Sequence, residues 1–155
     1  MDKEKMFGTL VRKVGAMLRS EQSNRSKLEM ICRLLKYNIP EYDWVGFYLV
    51  DPDKNKELIL GPFIGTQTEH VRIPFGRGIC GRAADLKETV LISDVSLEND
   101  YLSCNPNVKS EIVVPIFKDN RLVGELDIDS HESSAFTEKD ERFLERICEY
   151  ASELI

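Results

Sequence analysis

The sequence predicts an α+β domain in which helices at both ends of the chain pack on a largely antiparallel sheet of about six strands. Three observations carry this. Apolar residues recur at helical spacing near both termini, the middle consists of short runs rich in β-branched and aromatic residues, and tight polar turns join neighbouring runs. At 155 residues the chain fits one domain with one core, spanning residues 1–155.

Met6, Leu10, Val14, Met17 and Leu18 share one face of a first helix over residues 2–19, which Gly8 and Gly15 weaken slightly. Ser23 or Ser26 can cap a second helix, which buries Leu28, Ile31, Cys32, Leu34 and Leu35 and stops before Pro40. Residues 44–50 read as a strand, residues 51–56 as a turn and residues 57–60 as the second arm of a hairpin. Residues 69–74 are a third strand, residues 76–86 a glycine turn running into a short helix, and residues 89–92 a fourth strand. After a polar loop over residues 96–109, two strong strands at 111–117 and 122–128 flank a tight turn at Asp119 and Asn120. Thr137 opens the last helix, with Asp140 three residues on completing a capping-box pattern, and Phe143, Leu144, Ile147, Tyr150, Ala151 and Leu154 form its apolar stripe.

Composition narrows the function classes. Hydrophobic content of 42% with 31% charged residues places the chain among globular proteins. A net charge of −6 with no basic run argues against a nucleic-acid binder. No apolar run approaches the roughly 18 residues of a membrane span. The first residues carry both signs of charge and lack a signal-peptide apolar core, so a cytoplasmic location is expected, where thiols stay reduced unless they are catalytic or redox-sensing.

The four cysteines include no C-x-x-C pair, which removes zinc-knuckle and thioredoxin-type motifs. Cys32 and Cys148 fall on helical apolar faces and read as small core residues. Cys80 follows a glycine turn at a helix start, where the helix dipole favours a thiolate; the plainer reading is a small residue packed under the turn. The same segment, residues 76–81, matches G-x-G-x-x-G, but no buried strand of a βαβ unit precedes it. Cys104 sits in a polar loop, where burial does not explain it and partial exposure suits either a nucleophile or an ordinary loop thiol.

Asp127 and Asp129 alternate with Leu126 and Ile128, so both carboxylates share one strand face with Glu125. That face is either solvent-exposed or an acidic pocket in which crowding raises one pKa and keeps a proton near neutrality, with Glu111 on the neighbouring strand able to join it. Trp44 and Tyr48 share a face that can wall a small pocket, whereas Phe47 faces away. His70 and His131 are the only histidines, and no spacing suggests three convergent metal ligands; no metal and no cofactor are expected.

The segments D-W-V-G-F-Y-L, L-G-P-F-I-G, R-I-P-F-G-R-G-I-C-G, S-E-I-V-V-P-I and G-E-L-D-I-D-S resemble a GAF domain, and within it the free methionine-(R)-sulfoxide reductases in a two-cysteine form. The resemblance spans residues 44–143, and the two cysteines together with S-E-I and L-D-I-D are its more specific part. It implies that Cys104 attacks the sulfoxide, that Cys80 resolves the resulting sulfenic acid into a disulfide, and that Asp129 or Asp127 supplies a proton. It further implies that Glu111, Asp127 and Asp129 hold the substrate, that Trp44 and Tyr48 enclose its methyl group, and that a thioredoxin-like dithiol restores the enzyme. A homodimer through the terminal helices is implied as well. Where many members carry a further cysteine this chain has His70; where many read H-I-A-C it reads Y-L-S-C; and Arg82 stands where threonine is common. The alternative is a GAF module without enzymatic activity that binds a small ligand or senses redox state.

Overall fold

The structure, a computed structural model, describes residues 2–54, 56–99, 101 and 105–155. Helices α1 (Lys3–Met17) and α2 (Asn24–Asn38) lead into strands β1 (Trp44–Val50), β2 (Glu57–Ile64) and β3 (Arg72–Pro74). Helix α3 (Gly78–Leu86), strand β4 (Val90–Ile92), a short 3-10 turn at Val95–Leu97, strands β5 (Ser110–Lys118) and β6 (Arg121–Ser130), and helix α4 (Glu138–Ala151) complete it. The six strands form one antiparallel sheet in the order β3-β2-β1-β6-β5-β4.

The termini of these elements follow from local chemistry. Ser23 caps α2 by accepting from the Ser26 N–H. Thr137 and Asp140 form the expected capping box on α4. Asp119 and Asn120 both adopt positive φ, the conformation of a two-residue turn that matches strand twist. Strand β2 runs four residues past its expected end, to Ile64, because β3 pairs only with Glu57–Ile59 and leaves Pro62 on an open edge where its missing N–H is harmless.

Strand alternation divides the sheet into two unlike faces. Val45 and Phe47 of β1, Ile112, Val114 and Ile116 of β5, and Leu126 and Ile128 of β6 point into a core closed by α1, α2 and α4. Phe7 and Phe143 stack there at 4.1 Å, joining the first helix to the last, and Cys32 and Cys148 are buried in the same layer. Trp44, Tyr48 and Val113 point to the opposite face, under α3, where they meet Leu58, Ile73, Ile79, Cys80, Ala83 and Ala84. Glu111, Glu125, Asp127 and Asp129 belong to this second face by register. No described helix is long and apolar enough to cross a membrane.

Candidate active site

The second face holds a small, partly open cavity. Its walls bring together Trp44, Tyr48, Cys80, Glu111, Asp127 and Asp129, six of the seven residues that the sequence singles out. The seventh, Cys104, lies outside the described residues. Tyr101, three positions earlier in the chain, packs against the apolar cluster that includes Trp44, Tyr48 and Cys80 among its members.

The carboxylates come from two adjacent strands in register. Glu111 on β5 lies opposite Asp129 on β6, which in turn lies opposite Trp44 on β1, and Asp127 faces Gly46. The face is not solvated: Asp127 and Asp129 are 5% and 3% exposed, Glu111 is 4% exposed and Glu125 is fully buried. The open choice between a solvent face and an acidic pocket is thereby decided for the pocket. Burial pushes the Glu111 pKa well above the ordinary carboxylate range, and the charges of Asp127 and Asp129 push it further. Burial raises Asp127 as well, while hydrogen bonding with Glu111 and Cys80 opposes the rise. Both groups are driven toward their neutral forms, and crowding of the carboxyl groups favours a proton kept within the cluster.

The aromatic wall is held by a loop and by glycine. The Trp44 indole N–H donates to the Thr66 carbonyl at 2.9 Å, and the Tyr48 hydroxyl donates to the His70 carbonyl at 2.8 Å. Trp44 stacks on Phe63 at 5.3 Å and on Tyr48 at 6.5 Å. Its ring lies over Gly46, where an added Cβ would sit 2.5 Å from the indole and 2.7 Å from Phe63 Cβ. The strand therefore needs a residue without a side chain at that point.

Cys80 corrects an expectation. It is the third residue of α3, as the glycine turn suggests, yet it is 5% exposed and its pKa is driven upward, first by burial and then by Asp127, Glu111, Glu125 and Asp129. The helix dipole acts over the first turn and is worth about 1 kcal/mol, which desolvation beside four carboxyl groups outweighs. The resting group is a neutral thiol, with Sγ 4.0 Å from Glu111 Oε2. The G-x-G-x-x-G match also has another cause. β3 is a three-residue antiparallel edge strand, and Gly81 lets the first turn of α3 press on the Pro74 carbonyl, which an added Cβ would approach to 2.6 Å.

Sequence spacing did not reveal that Cys80, Glu111 and Asp127 offer one sulfur and two oxygens within 4.8 Å of one another, a set able to hold a metal ion. Thr68, His70, Ile73, Arg77 and Ile79 also line the cavity. Among these Arg77 was the one most open to notice, since it lies inside the glycine turn before Cys80 and is the cationic side chain of the wall. His70 lines the cavity as well.

Comparison with known proteins adds to this geometry. The GAF domain family profile matches residues 26–155. A Bacillus subtilis relative called Protein YtsP is 38% identical over 148 residues, covering 96% of this chain and 90% of its own. The free methionine-R-sulfoxide reductase of Escherichia coli is 36% identical over 147 residues, covering 95% of this chain and 87% of its own. Among solved structures, a free methionine-R-sulfoxide reductase from Neisseria meningitidis in complex with its substrate superposes with a TM-score of 0.92 at 35% identity. That alignment covers 99% of this chain and 90% of the other.

Proposed function

The chain belongs to the GAF domain family and, within it, to the free methionine-R-sulfoxide reductases, and on that premise we propose that it reduces free methionine-(R)-sulfoxide to methionine. The observation that carries the proposal is the buried pocket in which Glu111, Asp127 and Asp129 lie beneath Trp44 and Tyr48 with a thiol beside them. Carboxylates at the floor suit an ammonium group, and aromatic faces suit a methyl-sulfur group.

Cys104 is the attacking thiol. Its neighbour in sequence Tyr101, three positions earlier, packs against the apolar cluster that includes Trp44, Tyr48 and Cys80, which supports this reading. As the thiolate, the Cys104 sulfur attacks the sulfoxide sulfur while a proton from the carboxyl cluster moves to the sulfoxide oxygen. The oxygen passes to Cys104, methionine leaves, and Cys104 is left as a sulfenic acid. Cys80 condenses with it to a disulfide and releases water; an external dithiol of the thioredoxin type then reduces the disulfide. Asp129 anchors the substrate ammonium beside Trp44. The working form is a dimer through the terminal helices.

The test is release of methionine from free methionine-(R)-sulfoxide with dithiothreitol as reductant. Turnover is expected for the native protein and none for Cys104→Ser. Binding of the sulfoxide without release of methionine would instead support a ligand-binding module, and turnover by Cys104→Ser would remove the nucleophile assignment.

A further inference from the structure

Cys80 reaches the cavity from α3, Glu111 from β5 and Asp127 from β6, and the three offer one sulfur and two carboxylate oxygens within 4.8 Å of one another. The sheet fixes the two acids: Glu111 pairs with Asp129 and Val113 with Asp127, so Glu111 and Asp127 are diagonal neighbours on one face of adjacent strands. All three groups are buried, at no more than 5% exposed. Cys80 Sγ lies 4.0 Å from Glu111 Oε2, while Glu111 Oε1 and Asp127 Oδ1 have no hydrogen-bond partner among the described residues. Buried oxygens of this kind cost stability unless something compensates them, and both belong to residues that line the cavity. Arg77, the cationic side chain of the wall, is itself exposed, so solvent screens its charge from the buried cluster.

We propose that Cys80, Glu111 and Asp127 bind a thiophilic divalent cation, zinc by preference, and that the bound ion blocks the site; the blocking effect rests on the reductase reading. The donors choose the ion. Magnesium and calcium take oxygen ligands, whereas a thiolate beside carboxylates suits zinc or cobalt. Three protein ligands leave the fourth tetrahedral position to water from the cavity. Bonds of about 2.3 Å to sulfur and about 2.0 Å to oxygen put tetrahedral donors about 3.3–3.5 Å apart. From separations of up to 4.8 Å the donors must close by at most about 1.5 Å, a movement within reach of side-chain rotation. Cys80 releases its proton to solvent as the ion binds, as a ligating thiol does. Trp44 and Tyr48 on the wall limit the water that competes for the ion. The ion then occupies the sulfur that would close the disulfide and two of the carboxylates that would hold the substrate ammonium. The sequence expectation of no metal rested on spacing, and these ligands come from three separate elements.

The experiment titrates reduced protein, freed of reductant, with cobalt(II), whose thiolate complexes absorb in the near ultraviolet. The native chain is expected to develop a thiolate-to-cobalt charge-transfer band that saturates at a single ion per chain, is bleached by equimolar zinc and is untouched by excess magnesium. Cys104→Ser keeps the band and Cys80→Ser loses it, while Cys32 and Cys148 lie in the core layer on the other face of the sheet. Asp127→Asn keeps the thiol and weakens binding by at least about 10–100-fold. No band in the folded native chain, a band that survives Cys80→Ser, or an affinity unchanged in Asp127→Asn overturns the site; the native and Asp127→Asn spectra decide even if Cys80→Ser does not fold. Methionine release is then followed in a single turnover of the same reductant-free protein. It should be lost at equimolar zinc and return on chelation, and more methionine sulfoxide should raise the zinc required. Full release from zinc-saturated protein overturns the blocking role. A Cys80-dependent band in a chain that releases no methionine when metal-free would count against the reductase reading and leave the metal site standing, whereas release without the band would do the reverse.

Discussion

At the scale of single residues, the decisive quantity is where each proton resides. Cys80 illustrates how a sound local argument is outweighed: a helix start lowers a thiol pKa by a modest amount, and full burial among carboxyl groups raises it by more. Reduced protein is accordingly expected to alkylate at Cys80 at least about tenfold more slowly than free cysteine at neutral pH. Peptide mapping after timed iodoacetamide treatment checks this, and labelling at the free-cysteine rate would contradict it. Ionisation of Glu111 is opposed first by burial and then by its two neighbouring aspartates, which favours its neutral form. Glu111→Gln keeps the shape and removes the proton supply, so kcat should fall by about 10²–10⁴-fold while the fold persists. Steady-state kinetics with a circular dichroism control measure it. The alternation of L-D-I-D made the shared face of Asp127 and Asp129 legible without coordinates. It could not say whether water or α3 covers that face, because what packs on a strand is set by a distant part of the chain.

At the scale of elements, the site exists because β1, β5 and β6 are adjacent and in register. Each strand sends one alternate set of side chains to the helical core and the other to the cavity. Gly46 is the point where this arrangement is tightest, being opposite Asp127 and under the Trp44 ring. Gly46→Ala forces Trp44 or Phe63 to move. It should cost about 1–3 kcal/mol in stability and up to about 10²-fold in kcat/KM, with kcat least affected if the ring serves binding. Urea unfolding and initial-rate kinetics test the two parts separately. The hairpins and helices themselves were readable from period and caps. Residues 61–64 were not, since Gly61 and Pro62 argue against a strand in isolation and only the open edge beyond β3 tolerates them.

At the scale of the molecule, the buried acids set how stability responds to pH. Glu111, Glu125 and Asp127 have folded-state pKa values above their ordinary ones, so the folded protein binds more protons than the unfolded chain. Their contribution is fully present below the ordinary values of about 4 and is lost as pH rises through the folded ones, at up to about 1.4 kcal/mol per pH unit for each group. Asp51, held low by Arg72, acts oppositely and only in more acidic solution. The midpoint of thermal unfolding should therefore be higher near about pH 5.5 than near about pH 8, and Glu125→Gln should flatten that slope. A scanning calorimetry series in which the midpoint rose steadily with pH would refute it.

The kind and order of elements, the apolar faces and the identity of the reactive side chains were all present in the linear chain. Those properties depend on neighbours a few residues apart, and helix and strand periods write them directly into the order of residues. The meeting of Cys80 with Glu111 and Asp127, the protonation of that cluster and the enclosure of Glu125 were not. They depend on strand order and on α3 closing over one face of the sheet. That contact excludes water, and excluding water turns ordinary carboxyl groups into proton donors and acceptors.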